Sequence, residues 1–468
     1  MRSGYCLAVC LLLACSGGST TASTDTLVDT LSGEVLDNGA LDAGQDVSTL
    51  PDALTDATVV DVSTEETQEE DIADTTSLDS ASDVVIDPLQ TKGGVIIDSE
   101  HLATWSQLEV QLYLNTWAPG AISAYGVSIY RLFYTTQSPL GLFTIGSSLA
   151  VFPDSPLPTE PTVAVSWNHG TTGTADKCSV STYGANNALY GVVYAGHGYA
   201  VVLPDYPGLG TPGPHPYMVR DATAVSVVDG VRALRSLGAE IGYPVSERVF
   251  SLGHSQGGHA VISAHSFFEG PYGDDLDYLG GVAFAPGGEF LDVIQDYVTS
   301  TVVPSAFLAM MYNAWLTDRG VPISLLFKPP YDDYMPQWVE QFCLVELAGM
   351  LPFTRSELYH PEAITAMETG FTSMPEMAAI IADNTPPVET TETPLLVLHG
   401  ASDTVVPVEV SHGIFARSCG LEAPMELQIE PGLDHTTIVG STMLLQAKQW
   451  MDARVEGLPW QPSDCPSD

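Results

Sequence analysis

The prediction of the fold starts from one stretch of the sequence, Arg248-Val-Phe-Ser-Leu-Gly-His-Ser-Gln-Gly-Gly-His259. Its apolar part predicts a strand from Val249 to Leu252, and its last part predicts a helix that begins near Gly257. Ser255 lies between them, where strand and helix approach too closely for larger residues at Gly253 and Gly257. Such a strained turn holds a serine hydroxyl above the edge of a sheet. The pattern therefore predicts a nucleophilic serine, with an ordinary strand-to-helix turn as the alternative.

Short apolar strands alternate with helical segments on both sides of this stretch. The predicted strands cover residues 125–134, 149–152, 162–167, 199–203, 249–252, 279–285, 394–398 and 425–429. This alternation predicts a mostly parallel central sheet with helices on both faces. It breaks for about 105 residues after the strand at 279–285. We expect residues 291–390 to form a largely helical inserted cap, whose apolar residues, such as Met310 and Trp315, supply an acyl-binding pocket. The alternative is that these residues form the packed core of the cap itself.

A serine nucleophile needs a base within hydrogen-bonding reach and a carboxylate that orients the base. In folds of this kind the acid and then the histidine follow the serine along the chain, each on a loop after a strand. Asp403 follows the strand at 394–398, and His435 follows the strand at 425–429. These positions predict Ser255, Asp403 and His435 as the catalytic residues. Asp434, next to the histidine, is the alternative acid.

The oxyanion that forms beside the serine needs backbone N–H donors. Gln256 places one donor at the start of the predicted helix. The loop after the strand at 162–167, Asn168-His-Gly-Thr-Thr-Gly173, offers a second donor. We predict the N–H of Thr171, with Thr172 as the next choice and Gln256 alone as the remaining alternative.

Other polar residues near these motifs are predicted to serve the scaffold. His254 and His259 flank the serine, and we expect both to point into the scaffold. His399 precedes Asp403 on the same loop and is expected to pack there. Asp205, in the turn Pro204-Asp-Tyr-Pro-Gly208, is expected to stabilise a structural bend.

The N-terminal residues 1–15 predict an export signal. Arg2 precedes an apolar run from Leu7 to Ala14, which is far too short to cross a bilayer. The ending Leu12-Leu-Ala-Cys15 resembles a bacterial lipobox. We expect Cys15 to be lipidated and to anchor the chain at the outer membrane or cell surface. Free secretion after cleavage at another small residue is the alternative.

Residues 16–91 carry Asp and Glu at short intervals and contain no Lys, Arg or aromatic residue. Such a segment buries too little apolar surface to offset the entropy of ordering it. We therefore expect a disordered acidic tether, followed by a catalytic domain in residues 92–468. After the signal, four cysteines predict up to two disulfides, and the sequence allows three pairings of Cys178, Cys343, Cys419 and Cys465.

The charge of the chain excludes several classes of partner. Lys and Arg number 14 against 58 Asp and Glu, which gives a formal net charge of −44. Such a chain repels nucleic acid and acidic membrane surfaces, so we expect no nucleic-acid partner. The sequence has no metal-ligand cluster and no phosphate-binding glycine loop, so we expect no metal and no cofactor. It does not indicate the oligomeric state.

These motifs together resemble those of the α/β-hydrolase superfamily and, within it, the secretory lipase family that includes fungal lipase A. The resemblance rests on His169–Gly173, Pro204–Gly210, Gly253–Gly258, Gly400–Asp403 and Asp434-His435. It implies an α/β-hydrolase fold with an inserted cap. By position in that family it also implies the disulfides Cys178–Cys343 and Cys419–Cys465.

The sequence thus predicts an exported or surface-anchored serine hydrolase that cleaves carboxylic esters as a lipase or esterase. Its substrate would be an ester or lipid of the acylglycerol type. A peptidase or an acyltransferase can use the same three residues, because a fold does not determine its substrate. A non-catalytic surface-binding protein could keep the scaffold alone, but the presence of Ser255, Asp403 and His435 favours an enzyme.

Overall fold

The structure is a computed structural model that describes residues 92–154, 157, 159–301, 303–388, 391–423 and 425–465. The predicted export signal, with Cys15, and the predicted tether of residues 16–91 lie outside the described residues. Within the described part of the chain, no helix is long and apolar enough to span a membrane.

The strands of the sheet are numbered along the chain. They are β1 (Ile96–Trp105), β2 (Val127–Gln137), β3 (Phe143–Pro153), β4 (Thr162–Asn168), β5 (Ala200–Pro204), β6 (Val245–His254), β7 (Asp277–Phe284), β8 (Leu395–Gly400) and β9 (Met425–Glu430).

The α-helices are α1 (Gln107–Trp117), α2 (Leu189–Ala195), α3 (Arg220–Glu240), α4 (Gln256–Glu269), α5 (Phe290–Ser300), α6 (Ala306–Asp318), α7 (Tyr331–Gln341), α8 (Leu344–Met350), α9 (Arg355–Leu358), α10 (Pro361–Glu368), α11 (Pro375–Asn384), α12 (Val408–Gly420) and α13 (Ser441–Val455). Short 3₁₀ helices cover Asp176–Cys178, Ser181–Asn187, Ile323–Leu325 and Thr437–Val439.

The strands form one sheet in the order β1-β2-β3-β5-β4-β6-β7-β8-β9. The pairs β1–β2, β2–β3 and β3–β5 are antiparallel. The strands from β4 to β9 all run parallel to one another. Because the parallel strands end at one edge, the loops after β4, β6, β8 and β9 meet there. This architecture confirms the predicted α/β-hydrolase fold.

Both faces of the sheet are buried. Along β6, Phe250 packs on the face covered by α2 and α13, and Val249 packs on the opposite face, against α3 and α4. Successive side chains of a strand point to opposite faces, so a strand covered on both sides needs apolar residues at every position. Val249, Phe250 and Leu252 meet that need. The buried Ser251 between Phe250 and Leu252 accepts a hydrogen bond from Asn168 Nδ2 at 3.1 Å.

The connection between β7 and β8 contains helices α5 to α11, so a largely helical insertion lies where the cap was expected. These helices enclose an apolar core of their own, which includes Trp315, Phe327 and Phe371. Trp315 is buried in this core, as the alternative to an acyl pocket predicted, and its indole N–H donates to the Met218 carbonyl at 3.0 Å. A helical insertion needs a core of its own before it can offer a pocket.

Two disulfides are formed among the described residues, and they are the pairs that the family resemblance implied. Cys178 and Cys343 join the segment after β4 to the start of α8, with Cα atoms 5.6 Å apart. Cys419 and Cys465 join the end of α12 to the C-terminal segment, with Cα atoms 5.7 Å apart. The first of them links the inserted helices directly to the carboxyl edge of the sheet.

Candidate active site

Ser255 occupies a strained turn between β6 and α4. Its φ and ψ are 58° and −113°, in the positive-φ region that non-glycine residues rarely adopt. The turn needs glycine on both sides: a Cβ at Gly253 would lie 2.3 Å from the Gly257 carbonyl oxygen, and one at Gly257 would lie 1.8 Å from that of Asn168. The predicted close approach of strand and helix is therefore confirmed.

Asp403 and His435 are brought together from the loops after β8 and β9. His435 Nδ1 lies 2.7 Å from Asp403 Oδ2, and the Asp403 side chain is fully buried. The other carboxylate oxygen accepts hydrogen bonds from Val405 N and Val406 N at 2.8 and 2.9 Å. Burial alone would raise the pKa of Asp403, but the donors around the carboxylate outweigh burial and hold this pKa well below its usual range. The group is a fixed anion that selects the Nδ1–H tautomer of His435.

Asp434, the alternative acid, is used elsewhere. Its Oδ1 accepts hydrogen bonds from Thr436 N at 3.0 Å and from Thr437 N and Oγ1 at 2.8 Å. These donors lower its pKa and let it stabilise the turn into the 3₁₀ helix Thr437–Val439. Among the two carboxylates, only Asp403 bonds the His435 ring.

A second imidazole contacts the acid. His399 Nε2 lies 3.3 Å from Asp403 Oδ2 and 2.9 Å from the Val406 carbonyl oxygen, and its Nδ1 lies 2.6 Å from Ser411 Oγ. If Nε2 carries the proton, His399 donates toward the carboxylate while Ser411 donates to Nδ1. Sequence analysis expected His399 to pack in its loop and did not predict this contact with Asp403.

His254 joins the serine turn to the histidine loop. Its Nε2 lies 2.8 Å from the His435 carbonyl oxygen, and the two rings lie 4.6 Å apart. Burial lowers the pKa of His254 to about 3, so the ring is neutral near pH 7 and donates one N–H. Among the described side chains, Ser255 Oγ and the His435 ring do not form a hydrogen bond. In serine hydrolases such a hydrogen bond often forms at full strength only when substrate is bound.

The loop after β4 lies against the serine. A Cβ at Gly170 would lie 3.6 Å from Ser255 Cβ and 3.3 Å from His254 Nδ1. The hydroxyl groups of Thr171 and Tyr217 share a hydrogen bond of 2.7 Å, which ties this loop to the segment before α3. Thr171 is the next residue along the chain, so it belongs to the loop that lies against the serine turn.

Gln256 is the first residue of α4, and its side chain is buried beside a histidine. Gln256 Nε2 lies 3.2 Å from His215 Nε2, and His215 Nδ1 lies 3.0 Å from the Pro207 carbonyl oxygen. Burial lowers the pKa of His215 to about 4, so its neutral ring accepts from Gln256 and donates to Pro207. His215 was not singled out by sequence analysis.

Two further residues serve the scaffold. Asp205 is buried and accepts from Ser147 Oγ at 2.7 Å and from Ser181 N at 3.0 Å. His259 Nε2 lies 3.1 Å from the Asn384 carbonyl oxygen and so links α4 to the last helix of the insertion.

A cavity of about 700 Å³ has His215, the hydrogen-bond partner of Gln256, in its wall. The turn between β2 and β3, the loops after β4 and β5, and helices α6 and α7 line it. Met310, Ala314 and Val339 belong to the apolar core of the insertion and also line the cavity. The cavity thus lies between the sheet and the inserted helices, and Ser255, Asp403 and His435 are not among its lining residues.

The secretory lipase family model matches residues 180–461, which include Ser255, Asp403 and His435. The chain belongs to the secretory lipase family. This membership confirms the resemblance inferred from the motifs, and the class of reaction of the chain is carboxylic ester hydrolysis. Because the matched residues begin at position 180, the match does not include Thr171.

Solved structures share the fold of this secretory lipase at low sequence identity. The rice cell wall degrading esterase LipA from Xanthomonas oryzae is 18% identical, with a TM-score of 0.69 over 77% of this chain and 99% of that one. Candida antarctica lipase A in its closed state is 16% identical, with a TM-score of 0.59 over 80% of this chain and 86% of that one. Among curated proteins, no significant sequence match to the chain was found.

Proposed function

We propose that Ser255, Asp403 and His435 form a catalytic triad that hydrolyses carboxylic esters through an acyl-enzyme. The observation that carries this proposal is the 2.7 Å contact between His435 Nδ1 and Asp403 Oδ2, beside the strained turn of Ser255. With Nδ1–H donated to the buried carboxylate, His435 Nε2 keeps its lone pair and is free to accept a proton. Family membership supports the same assignment.

In the proposed reaction, His435 Nε2 takes the proton of Ser255 Oγ as that oxygen attacks the ester carbonyl carbon. The C–O bond to the alcohol then breaks, and the alcohol leaves with the proton from His435. Water attacks the acyl-enzyme, gives one proton to His435 and releases the carboxylic acid, and Ser255 regains its proton. Asp403 stays ionised throughout and stabilises the imidazolium.

The proposed oxyanion hole consists of the N–H groups of Thr171 and Gln256. Gln256 begins α4, so its N–H lies at the positive end of a helix dipole. The contact between the Gly170 position and Ser255 supports Thr171 as the second donor. Losing one such donor typically lowers kcat about 100- to 1000-fold.

A fluorophosphonate probe tests the nucleophile directly. We expect one covalent adduct, on the peptide that contains Ser255, and none in the Ser255→Ala protein. Labelling of a different serine, or no labelling of folded wild-type protein, would overturn the assignment.

We propose further that the substrate is an acylglycerol-like ester, handled between the sheet and a cap formed by residues 291–390. The cavity that has His215 in its wall and the apolar side chains of Met310 and Val339 that line it support this proposal. A panel of p-nitrophenyl esters from acetate to palmitate tests it. A preference for long chains would indicate a lipase, and a preference for short chains an esterase.

We also propose that residues 1–15 direct export, that Cys15 is lipidated, and that the acidic tether of residues 16–91 holds a catalytic domain of residues 92–468 away from the outer membrane or cell surface. The support is the Leu12-Leu-Ala-Cys15 sequence and the composition of residues 16–91. The two disulfides agree with an oxidising, exported environment. Intact-mass analysis of membrane-extracted protein tests this, because a mature chain that begins after Cys15 would contradict lipidation.

A further inference from the structure

The turn between β2 and β3 carries three exposed apolar side chains. We call residues Ser138–Phe143 the hairpin tip. The exposed fractions are 70% for Leu140, 64% for Leu142 and 56% for Phe143. Hydrogen bonds from Ser138 N to Leu142 O at 2.8 Å and from Gly141 N to Ser138 O at 2.9 Å close the turn. These two hydrogen bonds hold the backbone of the hairpin tip while its large side chains face solvent.

The charge pattern around the hairpin tip is unusual for this chain. Residues 132–153 contain no Asp, Glu, Lys or Arg, although the whole protein has 58 acidic residues. Exposed apolar residues scattered singly are ordinary, but an exposed apolar group with no charged residue close to it in the sequence is typical of a contact surface. Asp176, Asp318 and Glu340 line the cavity that Leu140 also lines, but they do not belong to the hairpin tip. The hairpin tip is such a group on an otherwise strongly acidic protein.

The hairpin tip lies at the sheet edge that carries the serine turn. β3 pairs antiparallel with β5, and Ser148 is opposite Pro204, the last residue of β5. The beginning of β3 therefore lies at the carboxyl ends of the parallel strands. Ser255 follows β6 at the same edge.

The cavity described above borders the hairpin tip. Leu140 and His215 both line it. His215 in turn contacts Gln256, the residue after Ser255. An apolar surface that covers the hairpin tip therefore also covers part of the wall of this cavity.

We propose that the hairpin tip docks the enzyme on the surface of an uncharged ester droplet, with Leu142 and Phe143 inserted and Leu140 at the mouth of the cavity. This inference rests on the proposed function, because it concerns the delivery of an aggregated ester to Ser255. The occupant is uncharged because a protein of net charge −44 is repelled by anionic lipid. A tip without charged residues inserts into such a surface without desolvating an ion.

Partition onto triolein droplets tests the proposal. The full chain is used with Cys15→Ala, which prevents lipidation, and Ser255→Ala, which prevents turnover. In this background Leu142→Ser/Phe143→Ser should lower partition by about tenfold for each side chain, and about 100-fold together. Neither residue lines the cavity.

Helix α1 supplies a matched control. Leu108 and Leu112 are 69% and 58% exposed, close to the values at the hairpin tip. Both residues lie in α1, which begins just after Trp105. Trp105 pairs with Val127, and Val127 pairs with Pro153, the last residue of β3. Because the hairpin tip lies at the start of β3, α1 lies at the opposite edge of the sheet. Leu108→Ser/Leu112→Ser should leave partition unchanged, and an equal loss in both double variants would overturn the proposal.

The same double variants with Ser255 retained separate this inference from the proposed function. Leu142→Ser/Phe143→Ser should hydrolyse soluble p-nitrophenyl acetate like the parent and should lose triolein hydrolysis in proportion to binding. A parent that cleaves no soluble ester would contradict the proposed function, while the partition result would still decide docking. Stronger binding to phosphatidylglycerol vesicles than to triolein would overturn the proposal. A third result would also overturn it: a parent that is dimeric, and a Leu142→Ser/Phe143→Ser protein that is monomeric but partitions onto triolein as the parent does. A second copy of the chain would then be what covers the hairpin tip.

Discussion

His254 Nε2 donates a hydrogen bond of 2.8 Å to the backbone carbonyl oxygen of His435. Ser255 directly follows His254, so this bond fixes the distance between the serine turn and the loop that carries the proposed base. The same ring lies against the Gly170 position of the loop after β4. One neutral imidazole therefore contacts two loops that the proposed reaction needs at defined distances from Ser255.

Replacing His254 should slow the reaction without weakening substrate binding. His254→Phe keeps a ring but removes the donor, and we expect kcat to fall about 10- to 100-fold with KM little changed. His254→Gln should restore part of the loss, because its amide N–H can reach the same carbonyl. Steady-state kinetics on a soluble p-nitrophenyl ester measure both effects.

His259→Gln is the control for this experiment. His259 flanks Ser255 on the other side and bonds the Asn384 carbonyl, away from His435. Its replacement should change stability more than kcat. If His254→Phe and His259→Gln lower kcat equally, His254 has only a structural role.

The two neighbouring carboxylates permit a sharp test of the acid. Asp403→Asn should lower kcat by about 10⁴-fold, because an amide no longer selects the Nδ1–H tautomer of His435. Asp434→Asn should cost far less, since Asp434 bonds Thr436 and Thr437 rather than the ring. An active Asp403→Asn protein together with an inactive Asp434→Asn protein would move the acid to position 434.

The parts of the fold that local sequence determines were predictable. The glycines at 253 and 257, the apolar run of β6 and the helix after it belong to one short segment, and the structure shows why larger residues cannot fit there. Asp403 and His435 were predictable because each follows a buried strand, and parallel strands bring such loops to one edge. Their mutual contact follows from topology rather than from spacing.

Two contacts at the site had no local signal. One is the hydrogen bond from His254 to the His435 carbonyl, and the other is the contact of His399 with Asp403. Both depend on the orientation of a histidine ring, which the adjacent sequence does not predict. Strand β1 (Ile96–Trp105) was also missed, because its mostly exposed residues lack the alternation of a half-buried strand. Trp315 was apolar as expected, but composition cannot distinguish a pocket wall from the core of a cap.

The two disulfides should differ in their effect on activity. Cys343 pairs across a β-bridge with Gly173, and Leu344 N donates to Thr172 O at 3.0 Å, beside the proposed oxyanion donor. Cys178→Ser/Cys343→Ser should therefore lower both the free energy of unfolding and kcat. Cys419→Ser/Cys465→Ser releases only the C-terminal segment, and it should lower stability but keep kcat.

The lengths of the closed segments indicate how much unfolding free energy the loss of each disulfide should cost. The bonds close segments with sequence separations of 165 and 46 residues, and loss of a native disulfide typically costs about 2–5 kcal/mol. Chemical denaturation and kinetics on a soluble ester measure the two quantities. Equal kcat values in both double variants would show that the first disulfide does not support the oxyanion loop.

Buried histidines should make the enzyme less stable as the solution becomes acidic. Burial lowers the pKa to about 4 for His215, His259 and His265 and to about 3 for His254. In the unfolded chain each binds a proton near pH 6.5. As the pH falls below 6.5, the unfolded state therefore gains protons that the folded state does not bind, and the free energy of unfolding falls. The loss continues until the pH reaches the folded-state values.

One carboxyl group opposes this trend at lower pH. Burial raises the pKa of Asp229 to about 6, although Arg232, 2.8 Å away, opposes that rise. Below about pH 6 the folded state therefore binds one proton more readily than the unfolded state, which offsets about one histidine. The steepest dependence is expected between about pH 6 and pH 5, below the unfolded-state pKa of histidine and above the folded-state values.

His265→Gln isolates one proton of this effect. His265 lies far along α4 from Ser255, and its Nε2 contacts Thr391 Oγ1 at 2.7 Å. Its replacement should reduce the slope of unfolding free energy against pH, between pH 6.5 and 4, by about 1.4 kcal/mol per pH unit. Between pH 7.5 and 8.5 the curves of parent and variant should run parallel, whatever the substitution does to absolute stability. Urea denaturation at half-unit pH steps measures both regions, and identical slopes below pH 6.5 would mean that His265 does not stay neutral in the folded protein.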